Sequence, residues 1–316
     1  MWKIARMPTS RPSRRHAVLA RVVPRLRRSR ELDSVAIERA RLEKWHATLD
    51  RGFPTGAVPL FKRRYAVVRE ELPAGPSGRG FPSYTLTRRG RTAVRTIVYL
   101  HGGGFVGPID PYQVRYAARM ASDLDARVVM PDYPLTPEHT WVDSHEPIVD
   151  LVTRLLQSSD DVVLAGDSAG GGLALAVALT VRDRGGPQPS RLLLVSPWVD
   201  LTISTPETYA VTEDDPWLFI GKMKAYAEWW AGPPDDLGRP EVSPALGDLA
   251  GLPPALMFFG TRDSLQPGGR LLVRRAEEAG WPLTYVEEPD LIHVYPVLPF
   301  IPEAARAWQT TKEFLR

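Results

Sequence analysis

From Arg95 onward, short apolar runs alternate with stretches of helical period, and this alternation constrains the fold more than any other feature of the chain. The strand candidates are RTIVYL (95–100), ARVVM (126–130), DVVLAG (161–166), RLLLVS (191–196), PPALMFFG (253–260) and PLTYVEE (282–288). Helical periodicity fills the intervals near 112–124, 145–156, 170–184 and 269–280, and again at 303–314. Strands this short and uniformly apolar are buried on both faces, as in parallel sheets covered by helices. The expected fold is therefore α/β, doubly wound, with a mostly parallel central sheet and helices on both faces.

Upstream, residues 14–50 read as helical. Val18, Leu19, Val22 and Val23 form one stripe before Pro24, and Leu32, Val35, Leu42, Trp45 and Leu49 recur at helical spacing after it, with Asp33 or Ser34 as a cap. Two β-like runs, 65–69 and 83–87, flank the Pro/Gly-rich ELPAGPSGRGFP. Between about 201 and 245 the alternation lapses into an aromatic-rich helical excursion. The predicted organisation is a basic helical head over 1–60 and a catalytic domain over 61–316, with head and excursion together forming a helical cap.

Composition narrows the function. The chain has 316 residues and no cysteine, which excludes disulfides, Cys-based metal sites and a thiol nucleophile. The net charge of +3 conceals a split, because residues 1–30 hold ten Lys and Arg and no acid. That head reads as a solvated helix, with a membrane-surface arm or a presequence of mitochondrial type as other options. A secretory signal is disfavoured because Arg21 and Pro24 interrupt HAVLARVVPRL. No apolar run reaches the ~20 residues of a membrane span. Nothing supplies a base-stacking or groove-reading surface for nucleic acid. The expected location is cytoplasmic, with peripheral membrane contact through the head and a homodimer left open.

In an open α/β sheet the residues just after the strands build the site. After VVLA comes Gly166-Asp167-Ser168-Ala169-Gly170, a G-x-S-x-G turn whose small residues let a sharp bend present Ser168. After RTIVYL comes His101-Gly102-Gly103-Gly104, whose bare amides can hold a developing oxyanion. Gly103, Gly104 and Ala169 are the expected donors, Gly102 a weaker one, and His101 a brace. His293, in DLIHVYPVLP, is the one histidine that follows the serine, as this chain order requires. Asp263 or Asp200, each after a strand, could orient it, with Asp263 preferred. Glu138, His139, Asp143 and His145 offer metal-ligand types, but their spacing matches no metal motif and the chemistry needs none.

With HGGG, GDSAG, PDYPLTPEH, SPWVDLT and HVYPVLP in this order, the sequence resembles the hormone-sensitive-lipase-like branch of the α/β-hydrolases over about residues 60–316. The resemblance implies a Ser168, Asp263, His293 triad without metal or cofactor, supporting roles for Asp167 and Glu138, and a cap from the head and the excursion. It departs after Asp263, where Ser264-Leu265-Gln266 replaces the acidic residues of many relatives and leaves the bracing of Asp263 unexplained. The expected activity is hydrolysis of short to medium acyl esters through an acyl-enzyme. Lactone or amide hydrolysis by the same triad, or a non-catalytic ligand receptor on this scaffold, are the alternatives. Phe105, Trp198, Trp217, Trp229, Trp230 and Val294 are the expected substrate pocket, and Trp45, Phe219 and Tyr226 further aromatics of the cap.

Overall fold

A computed structural model describes residues 4–6, 11–26, 30–50, 52–73, 75–78, 80–159 and 161–316. The basic head therefore lies partly outside the described residues, at 1–3, 7–10, 27–29 and 51. The strands are β1 (Ile4–Arg6), β2 (Tyr65–Leu72), β3 (Phe81–Arg88), β4 (Arg95–Leu100), β5 (Ala126–Pro131), β6 (Val162–Asp167), β7 (Arg191–Val195), β8 (Ala255–Arg262) and β9 (Leu283–Ile292). They form one sheet in the order β1-β9-β8-β7-β6-β4-β5-β3-β2. Every pairing is parallel except β2 with β3 and β3 with β5, so the sheet is mostly parallel, as the alternation predicts.

Two-residue periodicity splits each central strand between two cores. Val98, Leu164, Leu194 and Met257 face one layer with α5 (His145–Ser158), α6 (Ser168–Asp183) and α9 (Gln266–Ala279). Ile97, Val163, Leu193 and Phe258 face the other, with α4 (Pro111–Asp123) and α10 (Pro302–Phe314). The helix α6 is buried along nearly its whole length, which is why GGLALAVALTV carries almost no polar residue.

The head departs from expectation in three ways. It supplies an edge strand, since β1 pairs with β9 through Ile4 and Tyr285. The helix α1 (Arg14–Leu26) runs through Pro24 and does not stop there. It also buries His16, Ala20 and Pro24, and of the predicted stripe only Leu19 and Val23 lean on the core, while Val18 and Val22 are exposed. The next helix, α2 (Val35–His46), is capped by Ser34, whose side chain accepts from the Ile37 amide at 3.2 Å. A short turn of helix, α3 (Phe61–Arg64), leads into β2, and the excursion folds as α7 (Glu207–Asp214) and α8 (Ile220–Ala231).

Phe258 is fully buried at the centre of β8. Phe258→Ala is expected to lower unfolding free energy by about 3–5 kcal/mol in a denaturant titration; a loss below ~1 kcal/mol would contradict this packing.

Candidate active site

Four strand ends deliver the chemistry. From the end of β6 the chain turns into α6 through Ser168, which adopts a left-handed backbone at φ 53°. The close approach of neighbouring chains requires glycine on either side. A Cβ on Gly170 would run into the carbonyl oxygens of Leu100 and His101, and one on Gly166 into that of Gly170. The Trp198 amide donates to the Ser168 carbonyl at 2.8 Å and fixes the bend. Parallel pairing of β8 with β9 sets Arg262 opposite Ile292, so the residues that follow, Asp263 and His293, emerge side by side.

There His293 Nδ1–H donates to Asp263 Oδ2 at 2.9 Å, leaving Nε2 to accept from the Ser168 hydroxyl at 2.8 Å. All three side chains are buried. Asp263 is steadied by the Leu265 amide, which donates to its other oxygen at 3.0 Å. The Ser196 hydroxyl accepts from the Val294 amide behind the histidine loop at 3.1 Å. Asp200 goes elsewhere: its carboxylate accepts from the amides and hydroxyls of Thr202 and Ser204. The geometry thus separates the two aspartates that sequence spacing leaves open.

Asp215, which caps the C-terminal end of α7, is the main site residue that sequence reasoning missed. Its buried carboxylate accepts from Ser264 N and Oγ at 2.8 Å each, and from the amides of Trp217 at 2.8 Å and Leu218 at 3.1 Å. The serine that breaks the acidic pattern after Asp263 is therefore the contact through which a distant carboxylate braces the loop. Trp217 in turn stands edge-on to the His293 ring at 5.7 Å. Burial and the charge of Asp263 push the Asp215 carboxyl up, against the pull of its backbone donors. Burial alone would lower His293, but the charge and hydrogen bond of Asp263, followed by the charges of Asp215 and Asp167, outweigh it and raise the imidazole pKa.

The glycine loop after β4 carries Gly103 at φ 127° and Gly104 at φ 63°, conformations that a side chain would strain. Ala169, in the first turn of α6, has an amide that no carbonyl of its own helix can satisfy. The Gly102 amide is already committed, donating to Asp167 Oδ1 at 3.0 Å. Asp167 also accepts from Tyr99 Oη at 2.6 Å and from Gln113 Nε2 at 3.0 and 3.1 Å, tying the serine turn to the glycine loop. Burial pushes the Asp167 carboxyl up despite these donors. Gln113 has a sequence signal, since Asp110-x-x-Gln113 is a capping box, but its second bond has none. His101 stacks on Tyr133 at 4.1 Å and donates from Nδ1 to the Gly102 carbonyl at 2.9 Å, while Tyr133 Oη donates to the His101 carbonyl at 2.6 Å.

Glu138 reaches this loop through an intermediary. Its carboxylate lies 2.7 Å from His46 Nδ1, and the other nitrogen of His46 lies 2.8 Å from the Val106 carbonyl. Leu42, Val106, Ala225 and Trp229 form a small core that joins α2, the glycine loop and α8. Tyr226 packs on Gly104 and donates to Glu38 of α2. Burial would raise Glu38, but hydrogen bonds from Arg41 and Tyr226 bring it down to about 2. Of the expected pocket residues, Phe105, Trp198 and Trp230 stack together, with Phe105 4.0 Å from Trp230 and 5.8 Å from Trp198. Val294 follows His293 at φ 50°, whereas Trp229 belongs to the joint with the head. The four metal-ligand types do not converge: His139 meets Asp143 at 3.2 Å, but Glu138 turns to His46 at 2.7 Å and His145 to Thr180 at 2.8 Å.

A hydroxyl, an imidazole and a carboxylate in line beside a glycine loop at the rim of a parallel sheet define a hydrolase arrangement. Residues 97–297 match the family described as alpha/beta hydrolase fold. An acetyl-hydrolase of Streptomyces hygroscopicus is 34% identical over 234 residues, covering 72% of this chain and 78% of that protein. The carboxylesterase NlhH of Mycobacterium tuberculosis is 30% identical over 65% of this chain and 67% of its own length. A solved esterase of the bacterial hormone-sensitive lipase family superposes with a TM-score of 0.76 at 27% identity, over 97% of this chain and 99% of that one. The chain belongs to the α/β-hydrolases, in their hormone-sensitive-lipase-like branch, and is a carboxylesterase-like enzyme acting on small-molecule esters.

Were His293 to act as base in its neutral form, its raised pKa predicts that kcat/KM climbs with pH through a midpoint above ~6.5. Asp215→Asn removes one of the charges that raise His293 and leaves a single acceptor oxygen for four donors. The midpoint should therefore move to lower pH and unfolding free energy fall by about 1–3 kcal/mol. An unmoved pH profile would deny Asp215 any electrostatic hold on the histidine.

Proposed function

We propose that the enzyme hydrolyses short to medium acyl esters by nucleophilic catalysis at Ser168. His293 Nε2 takes the Ser168 proton as Oγ attacks the ester carbonyl, and Asp263 stabilises the imidazolium that forms. The amides of Gly103, Gly104 and Ala169 hold the oxyanion of the tetrahedral intermediate, each worth roughly 3 kcal/mol by the cost of removing such donors. His293 then protonates the leaving alcohol, and water, activated by the same histidine, releases the acid. The buried chain Ser168–His293–Asp263, at 2.8 and 2.9 Å, is the observation that carries this reading.

The acyl limit follows from the aromatic stack. Phe105 follows the glycine loop and the Trp198 backbone amide donates to the Ser168 carbonyl, so in this reading the Phe105–Trp198–Trp230 stack bounds the acyl side of the site and excludes a long chain. The acetyl-hydrolase relative supports the same direction. In this reading residues 1–60 and the excursion over about 201–245 form the cap on a catalytic domain of 61–316, joined by the Leu42–Val106–Trp229 core and the Glu38–Tyr226 bond. Lactones and amides would use the same machinery, and hydrolysis needs neither a membrane nor a second copy.

Ser168→Ala should lower kcat on p-nitrophenyl esters by about 10⁶ and abolish the pre-steady-state burst; a surviving burst would place the acyl-enzyme elsewhere. Trp230→Ala should shift preference toward longer acyl chains in a panel of p-nitrophenyl esters that also includes lactones and amides. The same chain-length profile as the parent would detach the stack from acyl selection.

A further inference from the structure

The helix α1 is fastened along a narrow line. Ser13 donates from its amide and hydroxyl to Glu303 at the start of α10 (2.6 and 3.0 Å), and the Ile292 amide donates to His16 Nε2 at 3.2 Å. The side turned outward carries Val18, Val22 and Leu26, which are 57%, 38% and 78% exposed. Residues four apart share one helix face, so these three make a continuous apolar stripe. Exposed Arg14, Arg21 and Arg25 accompany it.

Beside the first turn of α1 stands Phe300, 77% exposed and at φ 64°. Arg15 Nη1 donates to its carbonyl at 3.4 Å and the Arg115 guanidinium lies 5.2 Å from its ring centre. A cavity of about 360 Å³ opens at this point, lined by Arg15, Arg115 and Arg119 and by the first residues of α10. Arg119 leans on Trp308 at 4.5 Å and has Asp123 at 3.6 Å; among the described residues no acidic side chain lines the cavity itself.

Singly exposed apolar residues are ordinary, but an aligned apolar stripe next to an exposed aromatic marks a contact surface. Arginines interleaved with that surface suit a boundary where acyl chains and anionic headgroups occur together. Charge distribution points the same way. The first 30 residues hold ten basic and no acidic side chains, and α1 brings exposed Arg14, Arg15, Arg21 and Arg25 to this face, a charge that an anionic surface attracts. A two-fold pairing of the same face would set arginine against arginine.

We infer that α1 and the Phe300 loop dock the enzyme on an anionic lipid surface. The stripe and the Phe300 ring enter the acyl boundary, and Arg15, Arg115 and Arg119 hold lipid phosphates in the cavity between them. This docking is independent of the triad, because none of its residues touches Ser168, His293 or Asp263.

The test is co-sedimentation of the full chain with phosphatidylcholine vesicles, with and without roughly 30% phosphatidylglycerol, at low and high salt. Binding is expected only to the anionic vesicles, falling steeply with salt. The exposed-site variants Val18→Gln/Val22→Gln and Phe300→Ser, and the charge variant Arg15→Glu/Arg115→Glu, should each reduce partitioning by about tenfold or more while turnover of a soluble short ester and Tm stay at the parent level. Absent sedimentation, or sedimentation these variants leave unchanged, would overturn the inference. So would inorganic phosphate binding by calorimetry without vesicle binding, which would make the cavity a free-anion site. A doubling of mass in light scattering that the same variants abolish would make the face an interface between copies and equally overturn it.

Discussion

The left-handed backbone of Ser168 is the constraint on which the rest of the site depends. A non-glycine residue held there stores of order 1–3 kcal/mol, and only over-determination by its surroundings keeps it in place. The surroundings do so from three directions. Gly166 and Gly170 let the chains of β4 and β6 close on the turn, the Trp198 amide grips the Ser168 carbonyl, and Asp167 is clamped by Tyr99, Gln113 and Gly102. Asp167 thereby makes one rigid unit of the Ser168 turn and the glycine loop opposite, two segments 65 residues apart in sequence. Preorganisation of this kind removes the need to reorder dipoles as charge develops.

The central sheet was legible because local pattern specifies it, and local pattern also nominated Ser168, Asp263 and His293. Two-sided burial writes an apolar run into every central strand, and the chain order of serine, acid and histidine leaves a short choice of residues after strand ends. The direction of α1 was not legible in the same way. Periodicity says which residues share a face, yet not how that face is turned: Leu19 and Val23 lean on the core with His16, Ala20 and Pro24, while Val18 and Val22 of the same stripe are exposed. β1 is three residues long inside a basic run and gains its identity only from pairing with β9. Asp215 escaped for a related reason: its bonds to Ser264 cross 49 residues, and its local signature is that of an ordinary turn before a helix.

A second theme is that the helical head and the excursion hold the glycine loop jointly. Glu38 and Arg41 of α2 form a bidentate pair at 2.7 and 2.8 Å, and the same Glu38 receives the hydroxyl of Tyr226, whose ring covers Gly104. His46 stands between Glu138 and the Val106 carbonyl of the same loop. A shift of α2 would therefore reach the amides of the loop through both a hydrogen bond and a packed ring. The excursion grips the other half of the site through Asp215 and Trp217, so two added layers, and not the sheet alone, define the geometry around the reacting atoms.

The nine-stranded sheet ends differently on its two sides. On one margin β2 exposes Val68, Arg69, Glu70 and Glu71, whose charges discourage a foreign strand from adding on. On the other, the short β1 covers β9. Were β1 to peel away, the bare peptide groups of β9 would become a template for intermolecular pairing, and β9 is the strand that carries His293 at its end. In this protein three residues of β1 therefore stand between the margin of β9 and strand addition by another chain.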